Sequence, residues 1–172
     1  MRSIAVALLA LAVAVPAVAE IDGASLTLFS PSLLIPGQTY TFDFVVQNAS
    51  SDGEAISSIH VGFPDGFTLF ESTMTVTPIV PGRPDFTMYI PPIDHTGIWE
   101  DANGGMGEIF ALESTHITID ATVATVLYGT PIFFCINGDG TGAAPHQVCG
   151  CVDLVVSGVE NESWSTIKAM YR

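Results

Sequence analysis

Positively charged residues are scarce in this sequence. The 172 residues include only 4 Lys and Arg against 18 Asp and Glu, which gives a formal net charge of −14. Such a surface repels phosphate backbones and anionic lipids, so the composition excludes nucleic acid as a partner. The acidic excess is suited to divalent cations or basic partners, although it also serves solubility alone.

Long hydrophobic runs are absent beyond the N-terminus. Met1–Ser3 carries an early Arg, Ile4–Val15 is apolar, and small residues stand at Ala17 and Ala19. This order is typical of a secretory signal peptide cleaved after Ala19, and the run is too short to be a membrane anchor. The sequence therefore predicts a signal peptide over 1–19, a mature chain from 20, a secreted or cell-surface location and no membrane span.

Catalytic motifs are lacking as well. The chain has no G-x-S-x-G, no H-E-x-x-H and no P-loop, and no helix pattern follows the glycines at 138, 140 and 142. We predict that the protein is not an enzyme. Asp94-His95 and Glu100-Asp101 are the alternative, an acid–base pair for sugar hydrolysis, which requires a defined separation between the two carboxyl groups.

The chain is rich in short runs of alternating Thr, Val, Ile and Phe, which are typical of strands. Turn residues such as Pro36-Gly37 and Pro64-Asp65-Gly66 separate them. The predicted strands are 25–29, 39–46, 56–63, 67–70, 73–80, 86–90, 115–126, 131–136 and 148–156. No convincing amphipathic helix occurs between 24 and 160, so we predict an all-β, antiparallel sandwich of seven to nine strands over 20–160.

The stretch 33–69 resembles the opening half of bacterial and archaeal surface immunoglobulin-like domains. The matching residues are Pro36-Gly37, Val46-Gln47-Asn48 and Pro64-Asp65-Gly66-Phe67. The resemblance implies an immunoglobulin-like β-sandwich that acts as an adhesion, spacer or stalk module and carries no catalytic residues.

The three cysteines lie in one predicted hairpin. If the chain folds back near Gly142, Cys135 lies opposite Cys149, and a shift by two residues brings it opposite Cys151. An exported protein can form either cross-strand disulfide, and one thiol stays unpaired. The alternative is a zinc site of Cys135, His146, Cys149 and Cys151.

The stretch Ile90–Phe110 is predicted to be a long loop, which is usually functional or mobile. It holds Trp99 and a group of oxygen donors that suits calcium; no other cofactor is expected, and the alternative is a solvated acidic loop that binds no ion. These donors are Glu100, Asp101, Asn103 and Glu108. A second oxygen-rich loop begins at Asn137, but its twelfth position is Val148 instead of the Glu that an EF-hand requires.

Two further motifs are short. Asn48-Ala49-Ser50 and Asn161-Glu162-Ser163 fit the pattern of N-glycosylation sites. The tail 161–172 resembles short W-x-x-I-K-x-x-Y-R endings of some exported bacterial proteins, although it also fits a final amphipathic turn on the domain surface.

These observations predict a secreted or cell-surface structural or adhesive module with a protein or glycan partner, for which self-association is an option. The alternative is a carbohydrate-binding module or small glycoside-acting domain that uses the 90–110 loop. In that version Trp99 stacks on a sugar between flanking carboxylates.

Overall fold

A computed structural model describes residues 21–92, 95–124, 131–142 and 144–155. The predicted signal peptide over 1–19 and the tail over 161–172 lie outside the described residues. A single helical turn, Ile21–Gly23, precedes the first strand. Within the described ranges, no helix is long and apolar enough to cross a membrane.

Among the described residues, nine strands form two antiparallel sheets. In chain order they are β1 Ser25–Ser30, β2 Thr39–Gln47, β3 Ile56–Gly62, β4 Phe67–Val76, β5 Phe86–Tyr89, β6 Thr96–Asp101, β7 Ser114–Val123, β8 Ile132–Gly138 and β9 Gln147–Val152. One sheet has the order β1-β2-β7-β4 and the other β5-β6-β3-β8-β9. The predicted antiparallel β-sandwich is therefore confirmed.

The period of two in the sequence sets which residues face the core. In β7 every second side chain is buried, and the neighbouring strand β2 follows the same pattern. Phe42 lies opposite Ile119, and Phe44 lies opposite Ile117. Because a one-residue slip would turn this apolar set toward solvent, burial holds the register of the two strands.

The core lies between the two sheets and is rich in aromatic rings. Phe42, Phe44, Phe63 and Phe67 form a cluster in which the Phe42 and Phe63 rings meet edge to face, 5.1 Å apart. Edge-to-face pairs add about 0.5–1.5 kcal/mol beyond their area burial. This cluster connects the first half of the chain, which carries the immunoglobulin-like resemblance, to both sheets.

Two predictions of secondary structure were wrong. The runs 67–70 and 73–80 are not separate strands, since β4 continues through an irregularity between Phe70 and Thr75. The stretch Ile90–Phe110 is not one long loop, because β6 occupies Thr96–Asp101 and pairs with both β3 and β5. The glycines and acids around β6 obscured its apolar centre, which lies in the interior of the five-stranded sheet.

The strand order brings distant acidic loops to one end of the sandwich. At this end β3 begins and its neighbours β6 and β8 finish: Ser58 lies opposite Glu100, and Ile56 opposite Gly138. The segment before β3 contributes Asp52 and Glu54. We call this region the acidic end, and its carboxylates are Asp52, Glu54, Glu100, Asp101 and Asp139.

Candidate functional site

The hairpin of β8 and β9 is cross-linked. Cys135 and Cys149 lie directly opposite each other, with Cα atoms 4.1 Å apart, and form a disulfide. This confirms the first of the two predicted pairings, and Cys151 is free and exposed. The zinc alternative is wrong, because two of its sulfurs are consumed by the disulfide and His146 bonds to Glu54 instead.

The outward side of the five-stranded sheet carries a shallow apolar depression. Phe133 lies between Gly62 on β3 and Cys151 on β9, and its side chain is 59% exposed. Gly62 faces Thr96 across the next strand pair, and the missing side chain leaves a cavity of about 190 Å³ next to the Phe133 ring. We call this surface the disulfide face; its members are Gly62, Thr96, Phe133, Cys135, Cys149 and Cys151.

Trp99 does not reach the surface. Its side chain is fully buried, and the indole Nε1 donates a hydrogen bond to the Thr75 carbonyl across the sandwich at 3.1 Å. The alternation along β6 directs Trp99 inward, so the prediction that it stacks on a sugar was wrong.

Asp94, a member of the acid–base pair considered from sequence, lies outside the described residues.

Two of the predicted calcium ligands line a cavity at the acidic end. Glu100 and Asp101 border a volume of about 220 Å³ together with Asp139, which the sequence placed in a separate loop. The Asp101 Oδ1 atom accepts the backbone N–H of Asn103 at 2.9 Å. Glu100 accepts the hydroxyl of Tyr89 at 3.1 Å, and this hydrogen bond raises the pKa of Tyr89.

The other two predicted ligands point elsewhere. Glu108 is buried and accepts the backbone N–H of Asp85 at 2.9 Å. The Asn103 amide reaches the second oxygen of Glu108 at 3.4 Å. Neither residue borders the cavity that Glu100 and Asp101 share, and a calcium site among the four donors stays a prediction.

Sequence reasoning missed Glu54, because Ser51-Asp52-Gly53-Glu54 has the composition of an ordinary turn. Its side chain is fully buried under the loop 138–142. The Oε1 atom accepts the backbone N–H of Gly140 at 3.0 Å and lies 2.8 Å from the Nδ1 of His146. The loop comes this close only because residue 138 is a glycine: a Cβ there would lie 2.1 Å from Oε1.

The second oxygen of Glu54 has no hydrogen-bond partner. In the described part of the chain, two buried side-chain polar atoms share this property, namely Glu54 Oε2 and Asp101 Oδ2. Both are carboxylate oxygens, and both lie at the acidic end. A buried acceptor without a partner is costly, and each instance calls for an explanation, such as a bound ion or water.

Asp52 lies next to this unpartnered oxygen. Its Oδ1 accepts the backbone N–H of Glu54 at 3.0 Å. A Cβ on Gly142 would meet Asp52 Oδ2 at 1.8 Å and Glu54 Oε2 at 3.1 Å, so the two oxygens lie within 4.9 Å of each other. Among the described residues, no three His, Cys, Asp or Glu side chains are arranged to hold a metal ion by themselves.

The sequon at Asn48 is part of the core. Asn48 is fully buried, and its amide donates to the carbonyls of Glu54 and Ile109, each at 2.8 Å. The folded protein therefore presents no acceptor nitrogen there, and Asn48 instead fixes the segment that leads to Glu54. The second sequon, at Asn161, lies outside the described residues.

The chain matches no protein-family model and no curated protein. Solved structures do match its fold. An immunoglobulin-like protein from Nocardia farcinica is 13% identical with a TM-score of 0.50, and the match covers 76% of this chain and 97% of that one. The major pilin SpaD of Corynebacterium diphtheriae is 11% identical with a TM-score of 0.52, over 75% of this chain and 33% of the pilin.

A D312A variant of BcpA, the major pilin subunit of Bacillus cereus, is 11% identical with a TM-score of 0.50, over 77% of this chain and 40% of the pilin. The chain thus spans less than half the length of the two pilins. Taken together, these likenesses show that the chain has the immunoglobulin-like fold found in bacterial surface proteins, as the resemblance of residues 33–69 predicts.

Proposed function

We propose that this protein is a non-catalytic module, secreted or held at the cell surface, that binds a protein partner through the disulfide face. The observation that carries this proposal is the exposed Phe133 next to the depression over Gly62. A large aromatic ring beside an apolar depression is the kind of anchor on which protein interfaces depend. The surface-protein fold and the predicted signal peptide support the location.

The rigidity of this face suits it for docking. The Cys135–Cys149 disulfide joins the edge strand β9 to β8, and β8 in turn pairs with the central strand β3. A surface that is already ordered loses little conformational entropy when a partner binds. The disulfide therefore favours a preformed docking surface over one that must fold on contact.

The charge of the chain indicates the chemistry of the partner. Arg83 is the one Lys or Arg within the described ranges, and it is engaged by Glu113 at 2.6 Å. The described surface therefore carries an excess of carboxylates, while the depression itself is bordered by His60 and by no Asp or Glu. We expect a partner that inserts an apolar side chain beside Phe133 and carries basic residues around that inserted side chain. The attraction between those basic residues and the acidic chain also accelerates association.

Retention of the purified mature protein on intact cells of the producing organism tests this proposal. Phe133→Ser should reduce retention at least tenfold, since loss of an anchor residue typically costs more than 1.4 kcal/mol. Phe29→Ser is the matched control, because Phe29 is 69% exposed on the other sheet. Equal retention of both variants would exclude the disulfide face.

Two further readouts separate the alternatives. Specific binding to a glycan array, with retention abolished by the same free sugar, would replace the protein partner by a carbohydrate. A concentration-dependent mass of twice the monomer in sedimentation, lost in Phe133→Ser, would identify the partner as a second copy.

Mass spectrometry of the exported protein should find a chain that starts at Glu20, and an intact Met1 would contradict export through a cleaved signal.

A further inference from the structure

We infer that the tail 161–172 of the same chain covers the disulfide face. In this arrangement Trp164 lies beside Phe133, in the depression over Gly62. The inference rests on the proposed function, because both use the same surface, and it adds a competitor that an outside partner must displace. Its basis is the place and size of the depression, the point where the described chain leaves the sandwich, and the distribution of positive charge.

The depression lies at the end of the sandwich opposite the acidic end. Gly62 is the last residue of β3, Thr96 is the first of β6, and Phe133 is the second of β8. The volume of about 190 Å³ is smaller than the roughly 300–1,000 Å³ of pockets that enclose small-molecule ligands. The occupant that fits is therefore one large side chain that projects from a polypeptide.

The described chain leaves the sandwich at this same end. β9 runs from the acidic end toward Val155, whose carbonyl accepts the backbone N–H of Leu34 at 2.9 Å. Phe133 pairs with Cys151, four residues before Val155, which is about 13 Å along an extended chain. Trp164 follows Val155 by nine residues, and these span up to roughly 30 Å. The connecting segment is therefore long enough for Trp164 to return to Phe133.

The charges of the chain also favour the tail as the occupant. The sequence has 4 Lys and Arg, and two of them, Lys168 and Arg172, lie in the tail. In the part of the chain that the structure describes, Arg83 alone is of these types, and Glu113 engages it. On β6 the exposed Glu100 alternates with inward side chains and so lies on the outward side of the sheet. The tail thus supplies positive charge that this acidic surface otherwise lacks.

The spacing of residues in the tail matches distances on the face. The large apolar residues of the tail recur at i, i+3 and i+7, on one side of a helical turn, and they are Trp164, Ile167 and Tyr171. Arg172 then lies eight residues, or about 12 Å, beyond Trp164. Glu100 lies four strand residues, or about 13 Å, from Thr96 at the depression. An indole in the depression therefore brings the basic end of the tail toward Glu100.

The tail belongs to the same molecule and not to a second copy. Only residues 156–163 separate Val155 from Trp164, and so short a tether gives a local concentration on the order of 1 mM. A second copy at micromolar concentration competes poorly with it. Two copies also repel each other, because each chain carries a formal net charge of −14.

Acrylamide quenching of Trp164 fluorescence in the mature protein tests the inference. The chain has two tryptophans, and Trp99 is fully buried, so the variant Trp164→Phe supplies the Trp99 signal to subtract. Gly62→Val fills the depression and keeps the fold, since a Cβ there has only ordinary contacts, the nearest at 3.6 Å. Loss of the seat should raise the uncovered fraction of Trp164, and its quenching constant, about tenfold.

Phe29→Ser is the matched control for quenching, because Phe29 is 69% exposed on the other sheet, and it should leave the constant unchanged. A Trp164 that is quenched in the unaltered chain as freely as in Gly62→Val would overturn the inference.

Alkylation of Cys151 by N-ethylmaleimide reports the cover with variants that leave the sandwich untouched. Cys151 is the free thiol opposite Phe133, and the other two cysteines form the disulfide. Trp164→Ser should accelerate alkylation about tenfold, whereas Met170→Ser, which is off the apolar side of the tail, should not. Equal rates in both variants and the unaltered chain contradict the inference. Alkylation that accelerates on dilution would assign the tail to a second copy and overturn the intramolecular cover.

Cell retention separates a failure of this inference from a failure of the docking proposal. A tail that competes with the partner lowers the apparent affinity by the uncovered fraction, so Trp164→Ser should raise retention about tenfold. Retention that falls in Phe133→Ser but ignores Trp164→Ser, with Trp164 freely quenched, refutes the cover and keeps the docking face. A protected Trp164 together with retention that ignores Phe133→Ser refutes the docking proposal and keeps the cover.

Discussion

Removal of the Cys135–Cys149 disulfide is the change whose effect on stability follows most directly from the structure. The two cysteines are 14 residues apart, and the bond closes the whole β8–β9 hairpin. In the unfolded chain a cross-link over about 15 residues removes loop entropy worth about 3 kcal/mol. We therefore expect the double variant Cys135→Ser, Cys149→Ser to lose about 3 kcal/mol of unfolding free energy.

The position of β9 decides how this loss appears. Because β9 lies at the edge of its sheet and, among the described strands, pairs with β8 alone, its separation from β8 is the first opening that the cross-link opposes. Urea denaturation should show a midpoint lower by about 1.5 M, for a slope of about 2 kcal/mol/M. Amide exchange in β9 should accelerate more than exchange in β2 or β7.

Cys151→Ser serves as the control, since the Cys151 thiol is exposed and free. Its removal should change the urea midpoint by no more than a few tenths of 1 M. A loss below about 1 kcal/mol in the double variant would refute the argument from chain entropy. A large loss in Cys151→Ser together with a small loss in the double variant would show that the pairing itself is wrong.

Three other predictions concern the core and one ion pair. Trp99→Ala should lower the free energy of unfolding by about 3–5 kcal/mol in urea denaturation, because the ring is fully buried. The signal of the variant on a glycan array should equal that of the unaltered protein. Asn48→Ala should cost about 2–4 kcal/mol, since it removes two hydrogen bonds to buried carbonyls and leaves the backbone N–H of Ser50 without its acceptor; a loss below 1 kcal/mol would mean that water replaces the amide. The bidentate hydrogen bond from Arg83 lowers the pKa of Glu113, so this pair contributes stability above the usual glutamate pKa of about 4.3 and loses it as the pH falls through the lowered value. The destabilisation by Glu113→Gln should therefore be largest at pH 7 and should shrink as the pH falls through the lowered pKa of Glu113, and a gap that stays constant with pH would contradict this account.

Local chemistry explains what could be predicted of the fold. The alternation in Thr39–Gln47 and Ser114–Val123 appears unchanged as strands β2 and β7, because a sheet with one buried face requires a period of two. The strand β6 escaped prediction since Gly97, Glu100 and Asp101 interrupt its pattern, and Trp99 gains its burial from the core between the two sheets. Its place in the sheet depends on pairing with distant strands and not on its own composition.

The candidate sites also divide into features that the local sequence predicts and features that depend on strand pairing. The hairpin predicted from the sequence was sufficient to place Cys135 opposite either Cys149 or Cys151. The register between β8 and β9 in the structure decided for Cys149. Trp99 was interpreted as a ring that stacks on sugar because the stretch Ile90–Phe110 was predicted to be a loop. Its alternation with Glu100 in β6 directs it inward.

The sequence by itself determined the strand content, the acidic surface, the turn positions and the class of cross-link, because each depends on residues close together in the chain. Only the tertiary structure decided that the segment before β3, the end of β6 and the loop after β8 meet at one end of the sandwich. Because these segments meet, the Glu54 carboxylate is buried with one oxygen hydrogen-bonded and the other without a partner. Hydrogen bonding between β3 and its two neighbours creates this proximity, and no local pattern encodes it, since the partners lie about 40 and 80 residues away.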